Sequence, residues 1–441
     1  MNLVMLLVLA GLMHATRSFG SAGAGSASTL LALGYVLVSA FFAGGLFKQL
    51  RLPRLTGYIV SGVVAGPMVL GLLSRDMVAS LELVNGIAIA MIALTAGNEI
   101  ELRSIRPLLR SIGGITILGV LGTTVLLAAA VWFLRPLLPF MRDLPAAQAV
   151  AVSAVLGVVL VAQSPAVVVA LRDELRADGV VMRTALAVVV LGDLLVVALF
   201  PVASTLAKAT FGAGANVAHT ARLLAWEIFG SLGAGAVVGV VLAVYLRKVK
   251  GAASMFLLLV AVVVAEVGKR LHFDTLLVAL AAGVIVRNVT RVGDALHHEI
   301  QPSSLPVSIV FFAVAGASLH LDVLAVVWLP ATLLVIVRAA GLLLGSRVGA
   351  LLAGAPRPVQ RWAGVGLLPQ AGLALGLAAL FANAFPEFGA AASALLIGVV
   401  TLNELLAPAA FRLALIRTGE VGQRGAADAA VDDAPVELAI H

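Results

Sequence analysis

Asp193 is the residue of this sequence whose position points first to chemistry. It lies in the run AVVVLGDLLVVALFP, with long apolar stretches on both sides. A charge at the centre of a bilayer costs about 2.5–3.5 kcal/mol on insertion scales, so a carboxylate at this depth needs a reason. It can hold a proton or a dehydrated monovalent cation. The plainer reading is a buried Asp satisfied by backbone or Ser/Thr donors. The other acids considered are placed more cheaply. Glu227 and Glu266 stand near span ends, where long side chains reach water. Glu99 and Glu101 end a span beside Arg103.

Arg338, in LLVIVRAAGLLLG, is a base at comparable depth. A guanidinium keeps its proton under ordinary conditions. It therefore needs a carboxylate, helix C-terminal carbonyls or a water-filled cavity, unless it reaches toward one face. Asp193 is the nearest carboxylate in depth. Burial acts on the Asp193 carboxylate in one direction and a neighbouring Arg in the other.

Two apolar segments are interrupted in a related way. One, LVAQSPAVVVAL, carries Gln163, Ser164 and Pro165 in mid-span; the other, GLLPQAGLALGL, carries Pro369, Gln370 and Gly372. Proline removes an amide donor and frees a carbonyl upstream. Inside a membrane such breaks persist where they line a cavity or are covered by protein. A matched pair of interrupted spans in two halves marks a transporter site at the midplane. Two unrelated proline kinks are the alternative. On the transporter reading Asp193 supplies negative charge, while Gln163, Ser164 and freed carbonyls supply oxygens. A carboxylate that holds a cation or a proton, but not both, exchanges one for the other when alternately exposed. Asp193 is thus also the candidate ligand for a monovalent metal cation.

The surrounding elements must be membrane helices. Of 441 residues, 61% are hydrophobic and 12% charged, against about 25% charged in soluble domains. Apolar spans are expected at 2–14, 29–49, 55–74, 81–98, 109–138, 147–171, 180–207, 222–246, 252–268, 273–287, 302–319, 323–346, 361–384 and 389–414. The expected fold class is an all-α polytopic membrane protein of 13–14 transmembrane helices. Its repeats, spans 3–7 and 10–14, would be inverted, each with its interrupted helix fourth. Three regions follow: a short N-terminal apolar segment with a Ser/Gly linker (1–28), the transmembrane exchanger domain (29–417) and a polar, disordered tail (418–441). The first segment reads as a short extra helix more readily than as a cleaved signal.

Placing alternate loops on the cytoplasmic side puts 20 of the 29 Lys and Arg there. That bias fits the positive-inside rule, with the C-terminus cytoplasmic in a cell (inner) membrane. It explains the net charge of +7 without nucleic acid. Gly62/Gly66, Gly235/Gly239, Gly341/Gly345 and Gly372/Gly376 are spaced for close helix packing. The absence of Cys excludes disulfides, thiol catalysis and thiolate metal sites. An intramembrane aspartyl protease needs a second mid-membrane Asp, and neither H-E-x-x-H nor G-x-S-x-G occurs, so an enzyme is not expected. No cofactor is expected either.

At these residues the chain resembles the monovalent cation/proton antiporter superfamily, in the branch of bacterial sodium/proton antiporters and potassium-efflux antiporters. The similarity runs over about residues 29–420. It rests on FKQLRLPRLTGYIVSGVVAGP, with Pro53, Gly57 and Gly66–Pro67, on LGDLLVV, and on NELLAPAAFRLALIRTGE. The resemblance implies an elevator-type fold, a homodimer, and Asp193 as the residue that holds the transported ion. Arg338 falls where the family has a core Lys or Arg. This sequence departs from the family in three places. Gly192 stands where Asp or Asn is usual, which favours electroneutral exchange. Gln163–Ser164 replaces Thr-Asp or Thr-Ser. Gln370–Ala371–Gly372 replaces Arg-Gly-Glu. No nucleotide-binding regulatory domain is expected after the last helix. The function expected is exchange of Na⁺ or K⁺ for H⁺ by a secondary transporter; a carrier of organic or anionic solutes on the same fold, or a non-transporting sensor, is the alternative.

Overall fold

The computed structural model describes residues 2–19, 26–50, 52–211, 217–249, 253–271, 273–319, 321–370 and 372–423. Part of the expected linker (20–25), most of the expected tail (424–441) and Ala371 lie outside the described residues. Among the described residues there are helices and connecting turns but no strands, as the absence of water from a bilayer core requires of a chain that does not close into a barrel.

Among the described residues fourteen main helices, two of them interrupted, carry the fold. They are α1 (Asn2–Phe19), α2 (Ser26–Gln49), α3 (Arg54–Ala65), α4 (Glu82–Glu99) and α5 (Arg106–Leu137). The interrupted helix α6 follows, as α6a (Ala146–Val161) and α6b (Pro165–Leu175), then α7 (Val180–Thr210). Helices α8 (Val217–Lys248), α9 (Ala253–Leu271), α10 (Thr275–Val289), α11 (Gly293–Ala317) and α12 (Leu321–Leu352) come next. The second interrupted helix is α13, with α13a (Arg357–Trp362, tightening to a 3₁₀ turn over Ala363–Leu367) and α13b (Gly372–Ala384); α14 (Gly389–Thr418) closes the series. Seven spans are long and apolar enough to cross a membrane unaided, among them α7, α12 and α14. The segments α3, α9, α10 and α13b are shorter apolar helices.

The packing is two-fold. Helix α3 lies on α11, and α4 lies on α10. If α3–α7 and α10–α14 are equivalent, these two contacts are the same contact seen from each repeat. Helices α5 and α12, the third of each repeat, pack on one another. Small residues allow this. A Cβ on Gly97 of α4 would collide with the Leu280 carbonyl, and one on Gly283 of α10 with the Leu94 carbonyl. Of the four glycine pairs picked out by spacing, three lie at such crossings: Gly62/Gly66 on α11, Gly235/Gly239 on α10 and Gly341/Gly345 on α5. The fourth differs. Gly376 has no neighbour within 4 Å of where its Cβ would stand, and it faces open space.

The last described residues are held in place. After α14, the Glu420 carboxylate accepts the amides of Val181 and Met182, each at 2.8 Å, and so caps the N-terminus of α7. The Asp178 amide donates to the Glu420 carbonyl at 3.0 Å.

Candidate ion-binding site

The break in α6 follows directly from its sequence. Pro165 has no amide hydrogen and suits the first position of a helix. Ser164 before it caps α6b, its hydroxyl accepting the Val167 amide at 3.3 Å. Helix α6a therefore ends at Val161, and Ala162–Ser164 cross the gap in extended form. Helix α13 is interrupted too, with Leu368–Gln370 non-helical and Pro369 buried within the gap.

Arg338 joins the two breaks. It is 0% exposed. Its Nε donates to the Leu160 carbonyl at 2.8 Å and its Nη1 to Leu368 at 2.7 Å. Its Nη2 donates to Ala162 at 2.9 Å and Leu367 at 3.3 Å. All four acceptors lie at the C-terminal ends of α6a and α13a, where carbonyls lack helical partners and the helix dipole favours a cation. A carboxylate partner for Arg338 was one of the sequence expectations. Helix C-terminal carbonyls, another of them, are what it has: among the described residues Arg338 forms no ion pair with Asp193, because its donors are taken by the helix ends.

Gln370 extends this brace. Its Nε2 donates to the Leu160 carbonyl at 2.9 Å, and its Oε1 accepts from Asn403 Nδ2 of α14 at 2.9 Å. Gln370 and Pro369 are thus structural, while Gln163 and Asp193 face one another. The Gln163 backbone N–H donates to Asp193 Oδ1 at 3.4 Å. Asp193 Oδ2 is buried with no partner, as are both side-chain polar atoms of Gln163. Asp193 is 3% exposed and Gln163 1%. Buried polar groups are rarely left in this condition without a water, an ion or a function to account for it.

Gly192 explains how the Gln163 side chain fits. A Cβ at position 192 would come within 2.9 Å of Gln163 Oε1. The Gln163 amide therefore occupies the space beside Asp193 that a side chain at 192 would need. The side chain at 163 and the absence of one at 192 are thus sterically linked.

Asp193, Gln163, Ser164 and Pro165 line a cavity of about 380 Å³. Gly376 of α13b lines it too, which accounts for its lack of neighbours. Pro201 and Val197 of α7 form part of the same wall. Proline inside a helix frees the carbonyl four residues before it, here that of Val197, one turn from Asp193. A dehydrated cation at Asp193 needs several oxygens in place of its hydration shell. Asp193 Oδ2, Gln163 Oε1 and freed carbonyls are the available set. Ser164 Oγ lies at the site but already serves as a helix cap.

Three polar residues were not singled out from the sequence. Glu404 is 3% exposed in the middle of α14, with Oε2 unpartnered; the run NELLAP held its signal, a carboxylate far from either helix end. Asn403 beside it braces Gln370. Asp274 caps α10 and lines the same cavity as Asp193; its position at a span end concealed it. On the basic-loop side Glu99 pairs with Arg172 at 2.5 Å and with His297 at 3.2 Å.

The fold has counterparts among solved structures. The chain resembles the sodium proton antiporter MjNhaP1 from Methanocaldococcus jannaschii in two structures. In the pH 8 structure the identity is 15% and the TM-score 0.64, covering 88% of this chain and 98% of that one. In the electron-microscopy structure the values are 16% and 0.63, with coverage of 88% and 95%. No curated protein sequence matches the chain. The family description "Sodium/hydrogen exchanger, transmembrane" matches residues 3–416. The chain, a multi-pass membrane protein with two interrupted helices, belongs to the sodium/hydrogen exchanger family of cation/proton antiporters.

Proposed function

We propose that the protein exchanges a monovalent cation, Na⁺ or K⁺, for H⁺, one for one and electroneutrally, by alternating access. The observation that carries this reading is the buried, unpartnered Oδ2 of Asp193 at the wall of a cavity. One carboxylate is neutralised by one proton or by one cation. A bare carboxylate at the bilayer centre is costly, so the site crosses only when loaded, and return without a load is blocked. Either load leaves the site neutral, so no net charge moves.

Gln163 suits both loads. An amide offers an oxygen or two N–H donors. Its oxygen can face a bound cation, and its NH₂ can face the bare carboxylate between loads. The N-terminus of α6b, close by, adds the positive end of a helix dipole. We place the protein in the cell (inner) membrane as a homodimer with a cytoplasmic C-terminus. A carrier that grips an organic anion through Arg338 is poorly supported, because the guanidinium is occupied by backbone carbonyls.

Everted membrane vesicles test the reading. Addition of Na⁺, K⁺ or Li⁺ should dissipate an imposed pH gradient, and Asp193→Asn should abolish the response to all three. An unaltered response in Asp193→Asn would sink the reading.

A further inference from the structure

The cavity that holds Asp193 contains a second acid. Asp274 stands at the start of α10, half-buried, and lines the same space. Val197, Phe200 and Pro201 of α7 and Leu377 and Leu380 of α13b line it with them. The described lining includes two carboxylates and no Lys, Arg or His. Apolar walls with charge of one sign focus a field and concentrate the counter-ion.

The position of Asp274 gives this field a direction. Helix α10 runs from Asp274 to Arg287, α7 begins beside Arg183, and α13a begins at Arg357. Asp274 therefore marks the end of the cavity that faces away from the Arg-rich loops.

Helix capping does not require its charge. Asp274 accepts the Leu277 amide at 2.9 Å, and its own amide donates to Ser231 Oγ at 2.9 Å. Asn or Ser caps a helix about as well as Asp. The ionised carboxylate also has acceptor sites beyond those a cap uses. The independent sign of a ligand in this space is the unpartnered Asp193 Oδ2 and Gln163 amide, both nine-tenths buried or more.

We propose that Asp274 is an outer cation-binding carboxylate, which takes a monovalent cation arriving from the face opposite the Arg-rich loops and passes it to Asp193. The inference rests on Asp193 as the transport site. Asp274 is loaded and emptied from one side only, so it adds no charge to the exchange step. Val197, whose carbonyl Pro201 frees, lines the cavity that holds both acids.

Proteoliposomes in which each face can be supplied with Na⁺ or K⁺ separately test the proposal. Asp274→Asn, which keeps the cap, should raise the apparent KM for cation at the Asp274 face about tenfold. At the Arg-rich face KM should stay within about twofold of wild type on the same argument. Asp274→Glu, which keeps the charge, should restore the low KM. An unchanged KM for Asp274→Asn at both faces would leave only a helix cap and overturn the proposal, as would an equal rise at both. Asp193→Asn run alongside should abolish exchange in both directions. If it does not, the transport-site reading fails, whatever Asp274 shows.

Discussion

Replacing Arg338 by Met should weaken the fold more than it alters the ion site. The side chain is wholly buried and makes four hydrogen bonds, to the carbonyls of Leu160, Ala162, Leu367 and Leu368. Side-chain hydrogen bonds between membrane helices are worth about 0.6 kcal/mol on average and up to about 1.7. Four of them come to roughly 2–7 kcal/mol on that scale. Met fills similar volume but leaves three of the carbonyls without that donor; Leu160 keeps Gln370. Lys brings back the charge with fewer, differently placed donors, so Arg338→Lys should recover part of the loss. The assay is thermal unfolding of the detergent-purified protein, followed by vesicle exchange with whatever remains folded. The expected order of stability is wild type, Arg338→Lys, Arg338→Met. If Arg338→Met unfolds at the wild-type temperature and instead shifts the pH profile of exchange, Arg338 acts as a counter-charge to Asp193 and the brace is wrong.

Three further outcomes follow from particular contacts. Gly192→Ala should push the Gln163 amide aside and raise the apparent KM for cation, and adding Gln163→Ala should cause little further change; fully additive effects would separate the two residues, since contacting pairs usually couple by about 0.5–3 kcal/mol. Glu404→Gln should leave the cation-to-proton ratio unchanged, because Glu404 does not line the cavity; a changed ratio, read from ion and proton fluxes together, would put it in the transport path. Burial raises the Glu420 carboxyl above its ordinary value of 4.5, against the hydrogen bonds from Val181 and Met182. The folded state then binds more proton than the opened turn between the ordinary and raised values, so docking of the turn weakens as pH rises through that window. Hydrogen exchange at Val181 and Met182, relative to Glu420→Gln at each pH, should quicken as pH rises; a ratio independent of pH would contradict this.

The helices and the breaks were legible because both are local. Apolar runs set the spans, and Ser164–Pro165 and Pro369 mark the ends of half-helices through an absent amide and a cap. Asp193 was legible because depth alone made it costly. The partners were not, since they depend on which helix ends meet. Arg338 is as far from water as Asp193, and depth alone suggested pairing them; the C-terminal ends of α6a and α13a, adjacent only in the fold, claim its donors. The fit of Gln163 over Gly192 spans two helices and shows only as an absent Cβ. Asp274 reads as an ordinary cap at a span end until α7, α10 and α13b enclose one cavity.

The central claim is that one carboxylate carries either ion. Cation binding to the purified protein, titrated calorimetrically in buffers of different ionisation heat, measures the protons released per cation bound. One proton should be released for each cation bound at Asp193 in the pH range where Asp193 is protonated before binding, and this proton-coupled binding should be lost in Asp193→Asn. Cation binding with undiminished proton release in Asp193→Asn would contradict it.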